Sequence, residues 1–206
     1  MSELTVRPVD RLAGEIRLPG DKSISHRAVI LGALAEGETR IRNFLPSDDC
    51  RRTLQALQAM GLQSEATGAS EITVRGGELK EPEVPLDMGN SGTGVRLLAG
   101  VLSGQPFLSI VTGDASIRKR PMKRVCEPLR KMGATILARR GDLAPLAIRG
   151  GGLHGIDYES PVASAQVKSA LLLAGLFAEE DTSVTEPSLS RDHTCLLYTS
   201  PSPRDS

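Results

Sequence analysis

The chain has 206 residues, 39% of them hydrophobic and only 2% aromatic, so it can build an aliphatic core but offers few rings on which nucleic-acid bases could stack. Its 25 basic residues balance 25 acidic ones, which excludes the one-signed field that DNA or an anionic membrane selects and makes any anion recognition local. The longest apolar run, 170–178, is too short to cross a bilayer, no signal peptide is recognisable, and the three widely spaced cysteines form no zinc or disulfide pattern, so reduced thiols in a soluble cytoplasmic protein are expected.

The first marked stretch, Gly20-Asp21-Lys22-Ser23-Ile24-Ser25-His26-Arg27, leads into the apolar run 28–35. Ser23 or Ser25 is the expected N-cap of a helix there, with Arg27 in its first turn. Helix entrances present unpaired N–H groups and a positive dipole end, so cations at one are unfavourable unless an anion bridges them. Lys22, Ser23 and Arg27 therefore read either as a socket for a phosphate or carboxylate or as a solvated basic turn. A strand at 39–42, an amphipathic helix ending at Met60-Gly61 and two short strands at 62–65 and 71–74 are predicted to follow.

A second helix entrance follows at Asp87-Met88-Gly89-Asn90-Ser91-Gly92-Thr93-Gly94-Val95-Arg96. Its glycines permit close backbone approach to an anion, although the pattern is neither a P-loop nor a dinucleotide fingerprint, and a plain tight turn is the alternative. The loop 113–121 adds Arg118, Lys119 and Arg120. A third entrance, 160–168, supplies Ser160, Ser164, Gln166 and Lys168, and the loop 190–193 supplies Arg191 and His193. Residues 195–206, rich in serine and proline and without helical or strand period, read as an extension foreign to the rest of the chain.

These features recur. Arg27, Arg96 and Lys168 each lead an apolar run, at intervals of 69 and 72 residues; Met60-Gly61 returns as Met132-Gly133 and Arg75-Gly76-Gly77 as Arg149-Gly150-Gly151. A period near 70 is too long for a solenoid and points to a compact α/β lobe of three related units, about 21–85, 86–158 and an incomplete 159–194. A three-fold arrangement would bring all the basic entrances to one face.

The motifs L-P-G-D-K-S-I-S-H-R (18–27), G-N-S-G-T-G-V-R (89–96), G-D-A-S-I-R-K-R-P-M (113–122), S-A-Q-V-K (164–168) and R-D-H-T (191–194) resemble, in order, the N-terminal half of the 5-enolpyruvylshikimate-3-phosphate synthase family, in the form of its second bacterial class. That class usually continues R-D-H-T with glutamate, where this chain has Cys195. The resemblance implies an enolpyruvyl transferase-like lobe of βαβαββ repeats, the third of them truncated, with residues 1–20 packing against a second lobe. It implies transfer of the enolpyruvyl group of phosphoenolpyruvate to the 5-hydroxyl of shikimate 3-phosphate, in a monomer without metal or organic cofactor. Lys22, Ser23 and Arg27 would then bind shikimate 3-phosphate, with Lys22 also reaching phosphoenolpyruvate. Gly92 and Arg120 would contact phosphoenolpyruvate, the family's glyphosate-sensitive subsite. Ser164, Ala165 and Gln166 would hold shikimate 3-phosphate, Ala165 through its backbone alone, and Arg191 would approach the 3-phosphate. No proton-transfer residue falls in this half, so the 206-residue chain alone is expected to be inactive. The related UDP-N-acetylglucosamine enolpyruvyl transferases fit less well, having Lys-Asn at the positions of Lys22-Ser23 and a cysteine in the loop corresponding to 118–121. A non-catalytic anion-binding module is the remaining alternative.

Overall fold

A computed structural model describes residues 5, 7–11 and 13–199. Its elements follow in the order α1 (Lys22–Leu34), β1 (Gly37–Ile41), α2 (Asp48–Ala59), β2 (Gln63–Ala66), β3 (Ile72–Gly76), β4 (Leu86–Asp87), α3 (Gly92–Ser103), β5 (Leu108–Thr112), α4 (Lys123–Lys131), β6 (Thr135–Arg139), β7 (Leu143–Arg149), β8 (Asp157–Glu159), α5 (Ala165–Gly175), β9 (Ser183–Thr185) and α6 (His193–Thr199), with one short 3-10 turn at Ile117–Lys119. The full β-α-β-α-β-β order is seen once, from β4 to β7, and the flanking segments show parts of it.

Three sheets result, ordered β1-β3-β2, β4-β5-β7-β6 and β8-β9. In the first two, the central strand is antiparallel to both neighbours, β3 to β1 and β2, β7 to β5 and β6. The strands β3 and β7 bury alternate residues, as period-two side chains require: Ile72 and Val74 in β3, Ala144, Leu146 and Ile148 in β7. The repeated sequence landmarks occupy matching places. Met60 and Met132 cap the C-termini of α2 and α4, while Gly77 and Gly151 donate backbone hydrogen bonds to Ala33 and Ser103 at 3.0 and 3.1 Å.

Amphipathic α2 and α4 put Cys50, Ala56 and Leu57, and Val125, Cys126 and Leu129, inward. By contrast α3 is buried on nearly every side, from Val95 to Ser103, as an all-round apolar helix must be. It runs so close to α5 that a Cβ on Gly100 would lie 2.1 Å from the Ala170 carbonyl oxygen. Burial holds the Cys126 thiol up at about 11 and raises Cys50 as well, so both are inert core groups. Residues 13–20 form no helix or strand, and Ile16 and Leu18 are exposed.

Two expectations are corrected. The N-cap of α1 is Asp21, whose carboxylate accepts from the Ile24 N–H at 2.8 Å, so Arg27 falls in the second turn. Aspartate caps as well as serine does, and its charge suits the positive helix end. Ser25 instead bridges elements, donating to the Asp21 carbonyl at 2.8 Å and accepting from the Leu45 N–H at 3.0 Å. Residues 195–199 are helical rather than without regular structure. The helix starts at His193, docks on α1 and carries the Leu196 N–H to Asp192 carbonyl bond. The rest of the stretch read as foreign, 200–206, lies outside the described residues.

His26 ties α1 to α2. Fully buried, it shares a 2.8 Å hydrogen bond between Nδ1 and Thr53 Oγ1, while Nε2 meets no hydrogen-bond partner. Burial, reinforced by the charges of Lys22 and Arg27 and opposed by Asp49, pushes its pKa down to about 4.

Two predictions follow from this packing. Alanine is favoured over glycine in a helix by about 1 kcal/mol. The backbone overlap at Gly100 cannot be relieved by a rotamer, and separating α3 from α5 costs about 3 kcal/mol. Gly100→Ala should therefore lower the urea-derived unfolding free energy by about 2 kcal/mol net, whereas Gly68→Ala, with no contact under 3.5 Å, should stay within about 0.5 kcal/mol. For His26 the folded pKa lies below the unfolded one, so its contribution is complete above pH 6.5 and is lost as pH falls toward 4. Between pH 7 and 5 the loss is about 2 kcal/mol. Urea titrations at both values should show that decline, and His26→Gln should flatten it.

Candidate active site

The entrance to α1 offers one paired and one engaged cation. Lys22, half-exposed, lies 2.9 Å from Asp49 Oδ2, and the hydrogen bond and charge of Asp49 raise its pKa. Asp49 was not singled out from the sequence, although a carboxylate just behind the Ser47 cap is where the dipole of α2 favours one. Ser23 is half-buried, and its carbonyl accepts from Arg27 Nη1 at 2.9 Å. Arg27 itself is only 2% exposed. Its Nε donates to Thr194 Oγ1 at 2.9 Å, and Nη2 donates to Ser169 Oγ and to the Ala165 carbonyl. Most of its donors are thus spent on holding α1 to α5 and α6, which differs from the open socket expected at this position.

At the entrance to α3, Ser91 is the cap, accepting from the Gly94 N–H at 3.1 Å. Gly92 sits where a Cβ would lie 3.0 Å from both Arg96 Nη1 and Arg120 Nη1, so two guanidinium ends converge on its bare side. Arg96 Nη1 donates to the Gly92 carbonyl at 2.9 Å. Arg120 Nη2 donates to Asn90 Oδ1 at 3.1 Å and to Ser116 Oγ at 3.2 Å. Asn90 in turn donates to Asp114 Oδ2 at 2.7 Å, and Asp114 closes the turn by accepting from the Ser116 and Ile117 N–H groups. Burial first, then the neighbouring charges of Arg120 and Arg124, lowers the Arg96 pKa. No ion pair among the described residues involves Arg96 or Arg120. Arg96 and Asn90 belonged to the glycine-rich motif, but their roles depend on the approach of the 113–121 loop, which local sequence does not reveal.

At the entrance to α5, Ser164 accepts from the Val167 N–H at 3.4 Å, and Gln166 Nε2 donates to Thr93 Oγ1 at 2.9 Å, linking this entrance to that of α3. Ala165 offers a carbonyl already taken by Arg27 and Ser169. Lys168, expected to add a cation to the anion site, lies 2.9 Å from Glu186 Oε2 and 3.3 Å from Asp192 Oδ1 instead. Burial opposes its charge, but the two carboxylates outweigh burial and raise its pKa. Arg191 is exposed, and its charge is one of those, after burial and Arg27, that lower the pKa of His193.

The three entrances therefore meet. Arg27 spans from α1 to α5, Gln166 from α5 to α3, and Gly92 sits against the Arg120 loop. Hydrogen-bond donors come together there with two guanidiniums that make no ion pair among the described residues, Arg120 having Asp114 only at longer range, an arrangement suited to a small anion. Among the described residues there is no group of three or more metal-ligating side chains and no helix long and apolar enough to cross a membrane.

Comparison with known proteins agrees with this geometry. The family described as EPSP synthase (3-phosphoshikimate 1-carboxyvinyltransferase) matches residues 6–199. The chain is 59% identical over 190 residues to the 3-phosphoshikimate 1-carboxyvinyltransferase of Bacillus licheniformis, covering 90% of this chain and 44% of that protein. It is 58% identical over 196 residues to that of Alkalilimnicola ehrlichii, covering 93% and 44%. The solved EPSP synthase of Acinetobacter baumannii superposes with a TM-score of 0.85 at 52% identity, over 88% of this chain and 42% of that one. The chain spans less than half the length of these relatives. With the fold, the ordered motifs and these matches in accord, the chain belongs to the EPSP synthase (3-phosphoshikimate 1-carboxyvinyltransferase) family.

Proposed function

We propose that residues 21–194 form the N-terminal lobe of an enzyme that transfers the enolpyruvyl group of phosphoenolpyruvate to the 5-hydroxyl of shikimate 3-phosphate. The observation that carries this reading is the convergence of Arg96 and Arg120 on Gly92 without a carboxylate partner. A planar carboxylate or a phosphate fits between two guanidiniums, and burial, then the neighbouring charges of Arg120 and Arg124, lowers the Arg96 pKa, a penalty that a bound anion would offset. In this reading Arg120 and the Gly92 loop take phosphoenolpyruvate. Lys22, Ser23, Ser164, Gln166 and Arg191 take shikimate 3-phosphate, and Arg27 acts by fixing α1 on α5. Residues 1–20, among which Val9, Ile16 and Leu18 are exposed, are assigned to packing against a second lobe.

The reaction adds the 5-hydroxyl oxygen to C2 of phosphoenolpyruvate as the hydroxyl proton passes to a base and an acid delivers a proton to C3; a proton then leaves C3 and one is returned to the phosphate as the C–O bond to phosphate breaks, giving the enol ether and inorganic phosphate. Cations of this lobe offset the charge of both substrates and hold the hydroxyl against C2. These proton transfers need groups of suitable pKa, assigned here to the second lobe.

Isothermal calorimetry on the purified chain should detect shikimate 3-phosphate, weakened at least tenfold by Lys22→Met, and the chain should release no phosphate from the substrate pair. Absence of any shikimate 3-phosphate binding would overturn the substrate assignment, and measurable phosphate release would overturn the division of labour. Gly92→Ala places a methyl group 3.0 Å from both guanidinium ends. It should weaken phosphoenolpyruvate binding about tenfold, the effect of ~1.4 kcal/mol, and leave shikimate 3-phosphate affinity within twofold, by calorimetry with each ligand.

A further inference from the structure

Glu186 follows β9, outside every motif singled out above, yet both of its oxygens are engaged. Oε1 accepts the Ser164 backbone N–H at 2.6 Å, immediately before α5. Oε2 accepts from Lys168 Nζ at 2.9 Å and from Ser190 Oγ at 2.6 Å. The Glu186 and Lys168 side chains are only 8% and 12% exposed, so these bonds operate away from bulk water. Burial works to raise the Glu186 pKa, but the bonds from Ser190, Lys168 and Ser164 prevail and the carboxyl stays ionised.

We infer that Glu186 is the positioning residue for the shikimate 3-phosphate half of the site, a role that rests on the substrate reading above. It acts in two ways. By bonding Ser190 next to Arg191, and Lys168 which also holds Asp192, it fixes the loop that carries Arg191 to the entrance of α5. By taking the Lys168 charge and the Ser164 N–H, it withdraws one cation and one backbone donor that would otherwise compete for the phosphate. The anion is thereby directed to Arg191 and the Ser164 hydroxyl. A carboxylate is required, because a neutral amide accepts through one atom only and cannot offset Lys168. Without Glu186, Lys168 would keep only the more exposed Asp192, at 3.3 Å, to offset its charge beside the positive end of α5.

The test uses the whole 206-residue chain as wild type, Glu186→Gln, Arg191→Ala and the double variant, each first shown by thermal melting to be folded. Glu186→Gln should weaken shikimate 3-phosphate binding about tenfold, and the double variant should bind no more weakly than Arg191→Ala. Unchanged affinity, or effects of the two substitutions that simply multiply, would overturn the inference. A second readout needs no ligand: backbone 15N relaxation at Ser190, Arg191 and Asp192 should report increased motion in Glu186→Gln and not in Arg191→Ala. Should the wild-type chain bind no shikimate 3-phosphate, the substrate reading falls and the relaxation data decide alone, with retained loop order in Glu186→Gln overturning the positioning role. Should Glu186→Gln fail to fold, Ser190→Ala supplies the comparison, since it removes the direct bond between Glu186 and the loop while keeping the Lys168 and Ser164 bonds; it should increase motion at Arg191, and retained loop order there would overturn the inference.

Discussion

Positive charge gathered at helix N-termini is the constraint around which this lobe is organised. Three entrances, those of α1, α3 and α5, present cations or lie beside them, against the dipoles of their own helices. The structure answers most of these charges internally. Lys22 has Asp49, Lys168 has Glu186 and Asp192, and Arg27 is wrapped in carbonyl and hydroxyl oxygens. Arg96 and Arg120 are treated differently, receiving only a carbonyl, an amide oxygen and a hydroxyl, none of them charged. Partial neutralisation separates cations paired within the fold from Arg96 and Arg120, which make no ion pair among the described residues, and it is on this contrast that the proposed anion site rests.

An aliphatic interior makes that convergence possible. The α3–α5 contact is set by Gly100 against the Ala170 backbone, and the same pair of helices is joined at its entrance by Gln166 and Thr93. Bulky rings between these helices would hold the entrances apart. With small and branched residues such as Ala99, Val101, Leu171 and Ala174 fully buried there, backbones approach closely and side chains from different units reach one another. The scarcity of aromatic residues is therefore a condition for the site's geometry as well as a feature of the core.

Much of this was legible in the sequence where the physics is local. Serines 91 and 164 announce helix caps, the Met-Gly and Arg-Gly-Gly landmarks mark equivalent stops, and the basic entrances are visible in single motifs. What escaped was set by distance along the chain. The partners of Lys168 are 18 and 24 residues away, those of Arg27 lie in α5 and α6, and Asp49 meets Lys22 across 27 residues. Nothing near position 168 says whether its charge is free. The α1 cap was misplaced for a simpler reason, since aspartate and serine compete on nearly equal terms and only the chain's entry path decides between them. Residues 195–199 lack a clear apolar period, and docking on α1 supplies the stabilisation that a seven-residue helix could not find alone.

The titratable groups of the site bear on how the chemistry is divided. A general acid or base works best with a pKa near the operating pH. Here the resolved shifts of the site's lysines, carboxylates and histidines run the other way. Lys22 is raised by Asp49; Asp114 is lowered by the hydrogen bonds it accepts from Ile117 and Asn90; His26 is pushed down to about 4 by burial, and His193 is lowered by burial and Arg27. Glu186 stays ionised against its burial because three donors hold it. Shifts in these directions move the groups away from neutral pH, which suits fixed electrostatics better than proton exchange. Under the function proposed above, such a surface attracts and orients two anions and offsets their charge, and the protons of the addition and elimination steps are assigned to residues whose environments leave them poised.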